Sequence, residues 1–365
     1  MKLLRFHHAF WLLLIVALLL GSLPAAAADA DEREVQLGRV YARQLEAEYK
    51  VITDPAIVER VSRIGTEVAA ASDRPGLPYT FKVIDLDFAN AVSLPGGFIY
   101  VTKAMLSFVR SDHELAAVLA HEIAHAAHRH QLEMIRRSNQ AAFWTLIIAL
   151  VTRDANLAQG AQLVGTSMLS GYTRELERDA DLASIAYLLN TRYTPVAILT
   201  VMERVLRDER WQPKVDLGIF RAHPMVEERV AYLEDDLRRR GIPIIRRIAA
   251  NYLRLTTRTI AEQGRPIGEL FVNDTLVLRL PDPDRVQTAA ARLDRFFNTD
   301  PQPFEVTSRA VEGGPGIFGG GALVITVTPG DAAFLGTTAA DAAVSIQAKL
   351  RWVIEQDIRT RKLNG

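Results

Sequence analysis

Val35, Leu37, Val40, Leu45 and Tyr49 recur at helical spacing, and Ile57, Val58, Val61, Ile64 and Val68 repeat the pattern. This predicts amphipathic helices over residues 34–49 and 56–71. Alternation then takes over. Residues 79–84 and 97–102 read as strands joined through residues 90–97, whose Pro95-Gly96-Gly97 ending favours a tight turn. A long helix follows, opened by a capping box in which Ser111 accepts from the Glu114 amide and Glu114 reaches back to the Ser111 amide. No proline or glycine interrupts it as far as Arg137. Residues 141–151 are apolar but end at Arg153 and Asp154, well short of the roughly 20 residues that span a bilayer, and read as a buried helix. Another helix begins in the run from Tyr172 to Asp181 and continues through Leu189.

The pattern changes near Gly241-Ile242-Pro243, which predicts two domains, residues 29–243 and 244–365. In the second, residues 269–272 and 275–280 flank Asn273-Asp274 as a hairpin, and Val286, Ala289, Leu293 and Phe297 mark a helix. Strands at 304–311 and 323–327 enclose the glycine-rich residues 313–321, which lack the Gly-Lys-Ser/Thr ending of a phosphate loop and read as a flexible hairpin connection. A last helix covers about 339–358. The expected class is α+β: a mainly helical domain with a short sheet, then a small β-β-α-β-β-α module.

Residues 1–28 read as a cleaved signal peptide, with Lys2 and Arg5 before an apolar run and alanines at the expected cleavage site. The apolar run is too short for a membrane anchor, so no transmembrane segment is expected in the mature chain. Only 7 of the 43 basic residues are lysine, a bias typical of GC-rich bacteria that favours the periplasm as destination. The chain is formally neutral, which argues against a nucleic-acid partner. It has no cysteine, so any metal must be held by histidine and carboxylate.

His121-Glu122-Ile123-Ala124-His125 supplies such a site. Positions four apart share a helix face, so both imidazoles can meet one cation, and Glu122 is placed to take a proton from a water that the metal polarises. Small apolar residues surround the triplet, which argues against a solvated charged face. A third ligand is needed. His128 lies too far along one straight helix, about 10 Å of axis from His121, and His113, His128 and His130 read as surface or supporting histidines. Glu177 and Asp181, four apart, offer a carboxylate ligand and an acceptor for a ligand imidazole or for Arg174. The same run also reads as a solvated face in which Arg174 and Arg178 pair along the helix.

Asn90-Ala-Val-Ser-Leu-Pro-Gly-Gly97, Asp112-His-Glu-Leu115 with His121–His125, Tyr172-Thr-Arg174 with Glu177 and Asp181, and His223-Pro224 with Glu228-Arg229 occur in that order. In this the chain resembles the M48 zinc metallopeptidases, which include CAAX prenyl endopeptidases and envelope quality-control proteases. Thr173 replaces the usual serine and Asp179 a common glutamate. The resemblance implies a zincin-like (gluzincin) domain, one Zn²⁺ per chain held by His121, His125 and Glu177, Glu122 as the base, and protein or peptide substrates such as unfolded envelope proteins. It brings His223 to the open metal position, as a partner for the developing oxyanion or as a fourth ligand. An extended substrate is expected on an edge strand at residues 97–102, with Asn90, Gly97, Ile99 and Tyr100 as contacts, and the C-terminal domain is expected to recruit an envelope partner. The rival reading is a zinc-fold chaperone or adaptor with little proteolysis.

Overall fold

The computed structural model describes residues 30–137, 174–211 and 226–363. The leader, the apolar run at 141–151, Tyr172, Thr173, His223 and Pro224 therefore lie outside the described residues. The chain divides into two compact units: Met1–Met202 with Gln212–Asp236, and Glu203–Trp211 with Leu237–Gly365. Among the described residues no helix is long and apolar enough to cross a membrane. The fold is α+β.

The first unit opens with helix α1 (residues 30–48) and α2 (Pro55–Ala70), the latter capped by Asp54, whose side chain accepts from the Ala56 and Ile57 amides. Strands β1 (Thr80–Ile84), β2 (Ala91–Leu94) and β3 (Phe98–Thr102) form one sheet in the order β1-β3-β2, with β1 parallel and β2 antiparallel to β3. Two expectations change here. The segment expected to be only a connection contains β2, because Pro95–Gly97 alone makes the turn, with Gly96 and Gly97 at φ 77° and 84°. The strand at 97–102 is consequently central, and its backbone groups are used on both sides. One face of the sheet packs on α1 through Tyr41, Leu45, Val92, Leu94 and Tyr100. Gly38 is required at this junction, since a Cβ there would meet the Pro95 carbonyl oxygen at 1.7 Å.

After α3 (Lys103–Phe108), the long helix α4 (Asp112–Ala127) is buried over nearly all of its length. Ser111 accepts from the Glu114 amide at 3.0 Å, while the Glu114 carboxylate takes the Arg110 amide at 2.8 Å, one residue beyond the expected Ser111. The helix does not run on to Arg137. It ends at His128, and Arg129 at φ 59° turns the chain into α5 (His130–Arg137). A left-handed conformation costs an L-residue about 1–2 kcal/mol. The Arg129 side chain offsets this by donating to buried Glu34 at 3.0 Å, which Arg74 also pairs. Helix α6 (Arg174–Leu189) packs along α4, and α7 (Val196–Trp211) and α8 (Val226–Arg239) complete the described helices before residue 240.

In the second unit a short helix α9 (Arg246–Ala250) precedes strands β4 (Leu255–Glu262), β5 (Arg265–Val272) and β6 (Thr275–Leu280), then helix α10 (Pro283–Phe297). Strands β7 (Val306–Val311), β8 (Gly314–Gly319) and β9 (Ala322–Thr326) follow, with α11 (Pro329–Leu335) and α12 (Ala339–Leu363). Each strand triplet is an antiparallel meander, and both pack on one core that includes Leu270, Val286, Phe297, Ile317 and Leu350. After α9 the unit is thus βββα followed by βββαα, with α9, β4, β8 and α11 additional to the expected module. The glycine-rich segment is itself the central strand β8. Its glycines allow close packing: a Cβ on Gly319 would lie 2.6 Å from the Phe296 ring and one on Gly316 2.9 Å from Leu323.

Candidate metal centre

Helix α4 carries His121 and His125 one turn apart, and α6 lies alongside and presents Glu177. The His121 and His125 Nε2 atoms are 3.0 Å apart, and each is 3.5 Å from a Glu177 carboxylate oxygen. All three residues are buried. Ligands about 2.0–2.1 Å from a tetrahedral zinc ion stand roughly 3.3 Å from one another, so these atoms fit one such ion. The chemistry agrees: two imidazole nitrogens and a carboxylate oxygen converging away from water need a shared positive charge.

The His121 and Glu177 side chains are held from behind. His121 Nδ1 lies 2.9 Å from Asp181 Oδ1, and Asp181 accepts from Arg229 Nη2 at 2.7 Å and Nε at 2.8 Å, and from the Tyr232 hydroxyl. Arg229 Nη1 is also 2.8 Å from Glu177 Oε2. Burial works against ionisation of Asp181, but the Arg229 charge and His121 outweigh it and hold the carboxyl well below the usual carboxylate range. For Arg229 burial is likewise overcome, here by Asp181 and Glu177, so the guanidinium stays charged. Arg174 does not take this part. Seven residues separate it from Asp181, about 10 Å of helix axis, and its exposed side chain reaches Glu228 at 3.5 Å.

Glu122, also buried, accepts from Ser93 Oγ at 2.9 Å, and Ser93 in turn accepts from Gln131 Nε2 at 2.7 Å. Ser93 belongs to β2, so the strand that ends the sheet also holds the carboxylate beside His121 and His125. An apolar recess walled by Ala117, Val118, Ile198, Val201 and Met202 lies against His121 and Glu122.

Residues 55–236 match the model of peptidase family M48. The chain belongs to this family through that segment. It is 26% identical over 243 residues to the beta-barrel assembly-enhancing protease of Escherichia coli (strain K12), covering 60% of this chain and 50% of the relative. The putative beta-barrel assembly-enhancing protease of Vibrio cholerae is 29% identical, covering 58% of this chain and 45% of the relative. Mitochondrial metalloendopeptidase OMA1 of Schizosaccharomyces pombe is 29% identical over 175 residues, covering 48% and 51%. The chain spans about half the length of these curated relatives.

The structure brings together His121, Glu122, His125, Glu177 and Asp181. Ile99 and Tyr100 are buried in the central strand and Gly97 in the turn before it, so residues 97–102 are not an edge, and the edge strand on that side is β2, whose first residue follows Asn90. Asn90 itself is buried, with its side chain on the Ala91 amide at 2.9 Å. Nothing in the sequence gives Arg229, Ser93 or Gln131 a role, and His130, expected as a surface or supporting histidine, is buried. Arg229 stood in the Glu228-Arg229 pair without a role, and Ser93 was concealed in a segment rich in turn-forming residues.

Proposed function

We propose that this chain is a zinc endopeptidase of the bacterial cell envelope that hydrolyses unfolded or misassembled proteins. The observation that carries the reading is the buried convergence of His121, His125 and Glu177 with Glu122 beside them. His121, His125 and Glu177 would hold a zinc ion, which would supply a Lewis acid for the scissile carbonyl and the attacking water. Glu122, fixed by Ser93, takes the proton of that water and passes it to the leaving amine. Asp181 and Arg229 keep His121 and Glu177 in place, and the extended peptide lies along β2 with an apolar side chain in the recess beside His121. The envelope assignment is supported by the secretory pattern of residues 1–28 and by relatives named for β-barrel assembly. The C-terminal unit is proposed to recruit a partner there. A zinc-fold adaptor would have no need for the Ser93-held carboxylate beside the metal.

The test is casein hydrolysis by the purified chain without its leader. Activity that disappears with a zinc chelator and returns on adding Zn²⁺ supports the reading, and chelator-resistant hydrolysis or none in the zinc-loaded chain refutes it.

A further inference from the structure

A second group of histidines and carboxylates adjoins the metal ligands: His128, His130 and Asp179, with Asp73 and Tyr187 behind them. Its hydrogen bonds follow one from another. A neutral imidazole donates from one nitrogen and accepts at the other. His125 directs Nε2 at the cluster of His121 and Glu177, so its ring proton sits on Nδ1, which is 2.8 Å from His130 Nδ1. His130 Nδ1 must therefore accept. Its own proton is then on Nε2, which lies 3.1 Å from Asp179 Oδ2, an acceptor. Asp179 Oδ2 is shared with His128 Nδ1, and His128 Nε2 is 2.8 Å from Asp73 Oδ2, where the Tyr187 hydroxyl also donates at 2.7 Å.

We infer that His130 is a positioning residue for the metal: it accepts the Nδ1 proton of His125 and is itself held by the Asp179 carboxylate. This rests on the metal reading above and extends it to a residue that ligates nothing. The left-handed turn at Arg129 is what makes it possible, because it takes His130 off the axis of α4 and returns its ring to His125. The same group cannot act as a second metal site while His125 binds the first ion. A metal on His130 Nε2 would move that ring's proton to Nδ1, opposite the proton on His125 Nδ1.

The experiment is Zn²⁺ affinity and stoichiometry for the full chain without its leader, by competition with a chromophoric chelator, with the Co²⁺ absorption spectrum as a second readout. Loss of a partner hydrogen-bonded to a metal ligand weakens affinity by about 10–100-fold. His130→Leu should show a loss of that order and a shifted Co²⁺ band, and His130→Gln, whose amide oxygen can accept from His125, should recover most of both. Asp179→Ala, at a half-exposed position, should lose a few-fold and carries the test if His130→Leu does not fold. Wild-type affinity and spectrum in folded His130→Leu or Asp179→Ala would overturn the inference. So would two ions per wild-type chain falling to one in His130→Leu. A wild-type chain that binds no zinc would instead overturn the metal reading on which the inference stands.

Discussion

In the second unit buried charges meet opposite charges. Glu269 lies between Arg258 at 2.5 Å and Arg279 at 3.1 Å, Asp331 is held by both Arg285 nitrogens at 2.7 and 2.9 Å, and Arg247 donates to Asn298 and Asp294. In the first unit the Nε2 atoms of His121 and His125 and the Glu177 carboxylate instead turn toward one another, while Asp181 and His130 face the outer nitrogens of the two rings and Arg229 pairs Glu177 Oε2. Burial of ionisable groups alone therefore does not mark a site. What separates the two sets of residues is direction: paired charges, which the first unit also has at Glu34–Arg74, complete a structure, whereas converging acceptors call for a cation.

The largest expected effect falls on the converging set. Glu177→Ala should leave the chain unable to retain zinc through dialysis, whereas Glu175→Ala should retain it. Equal zinc in both by elemental analysis would break the distinction. Arg229→Met comes next, because it leaves Glu177 and Asp181 buried without their counter-charge. Breaking a buried pair in this way costs about 3–5 kcal/mol, to be read from denaturant unfolding with zinc present and absent.

Asp331→Asn should do less, about 1–2 kcal/mol after allowance for the partly exposed Arg285, with zinc content unchanged. Burial opposes ionisation of Asp331, but Arg285 and the Thr328 cap hold its carboxyl below the ordinary value. Its stabilisation is therefore present above the unfolded-state pKa near 4 and is lost as pH falls through the lower folded value. The stability difference between wild type and Asp331→Asn should therefore shrink as pH falls below about 4, and a difference that grows on acidification would contradict that sign.

The sequence made α4 and its ligands legible because two histidines at helical spacing, set among alanines, admit few other readings. Glu177 stands out from its charged neighbours only when the Tyr172–Asp181 run is taken together with the other motifs. Long-range geometry was not legible. Nothing near Arg229 says that it reaches Asp181, 48 residues away in the chain, and nothing in His128-Arg129-His130 announces a turn, since the partners of Arg129, Glu34 and Asp31, lie far back in the chain. In β8, glycines that read as flexible are required by the neighbouring Phe296 and Leu323, so composition pointed the wrong way.

The most direct measurement is made on one sample of Glu122→Gln, with zinc by elemental analysis and peptide hydrolysis in the same preparation. The account predicts one zinc per chain and turnover reduced by at least about 10²-fold, the lower scale for a lost general base. Near wild-type hydrolysis by zinc-loaded Glu122→Gln, after exclusion of contaminating protease, would contradict it.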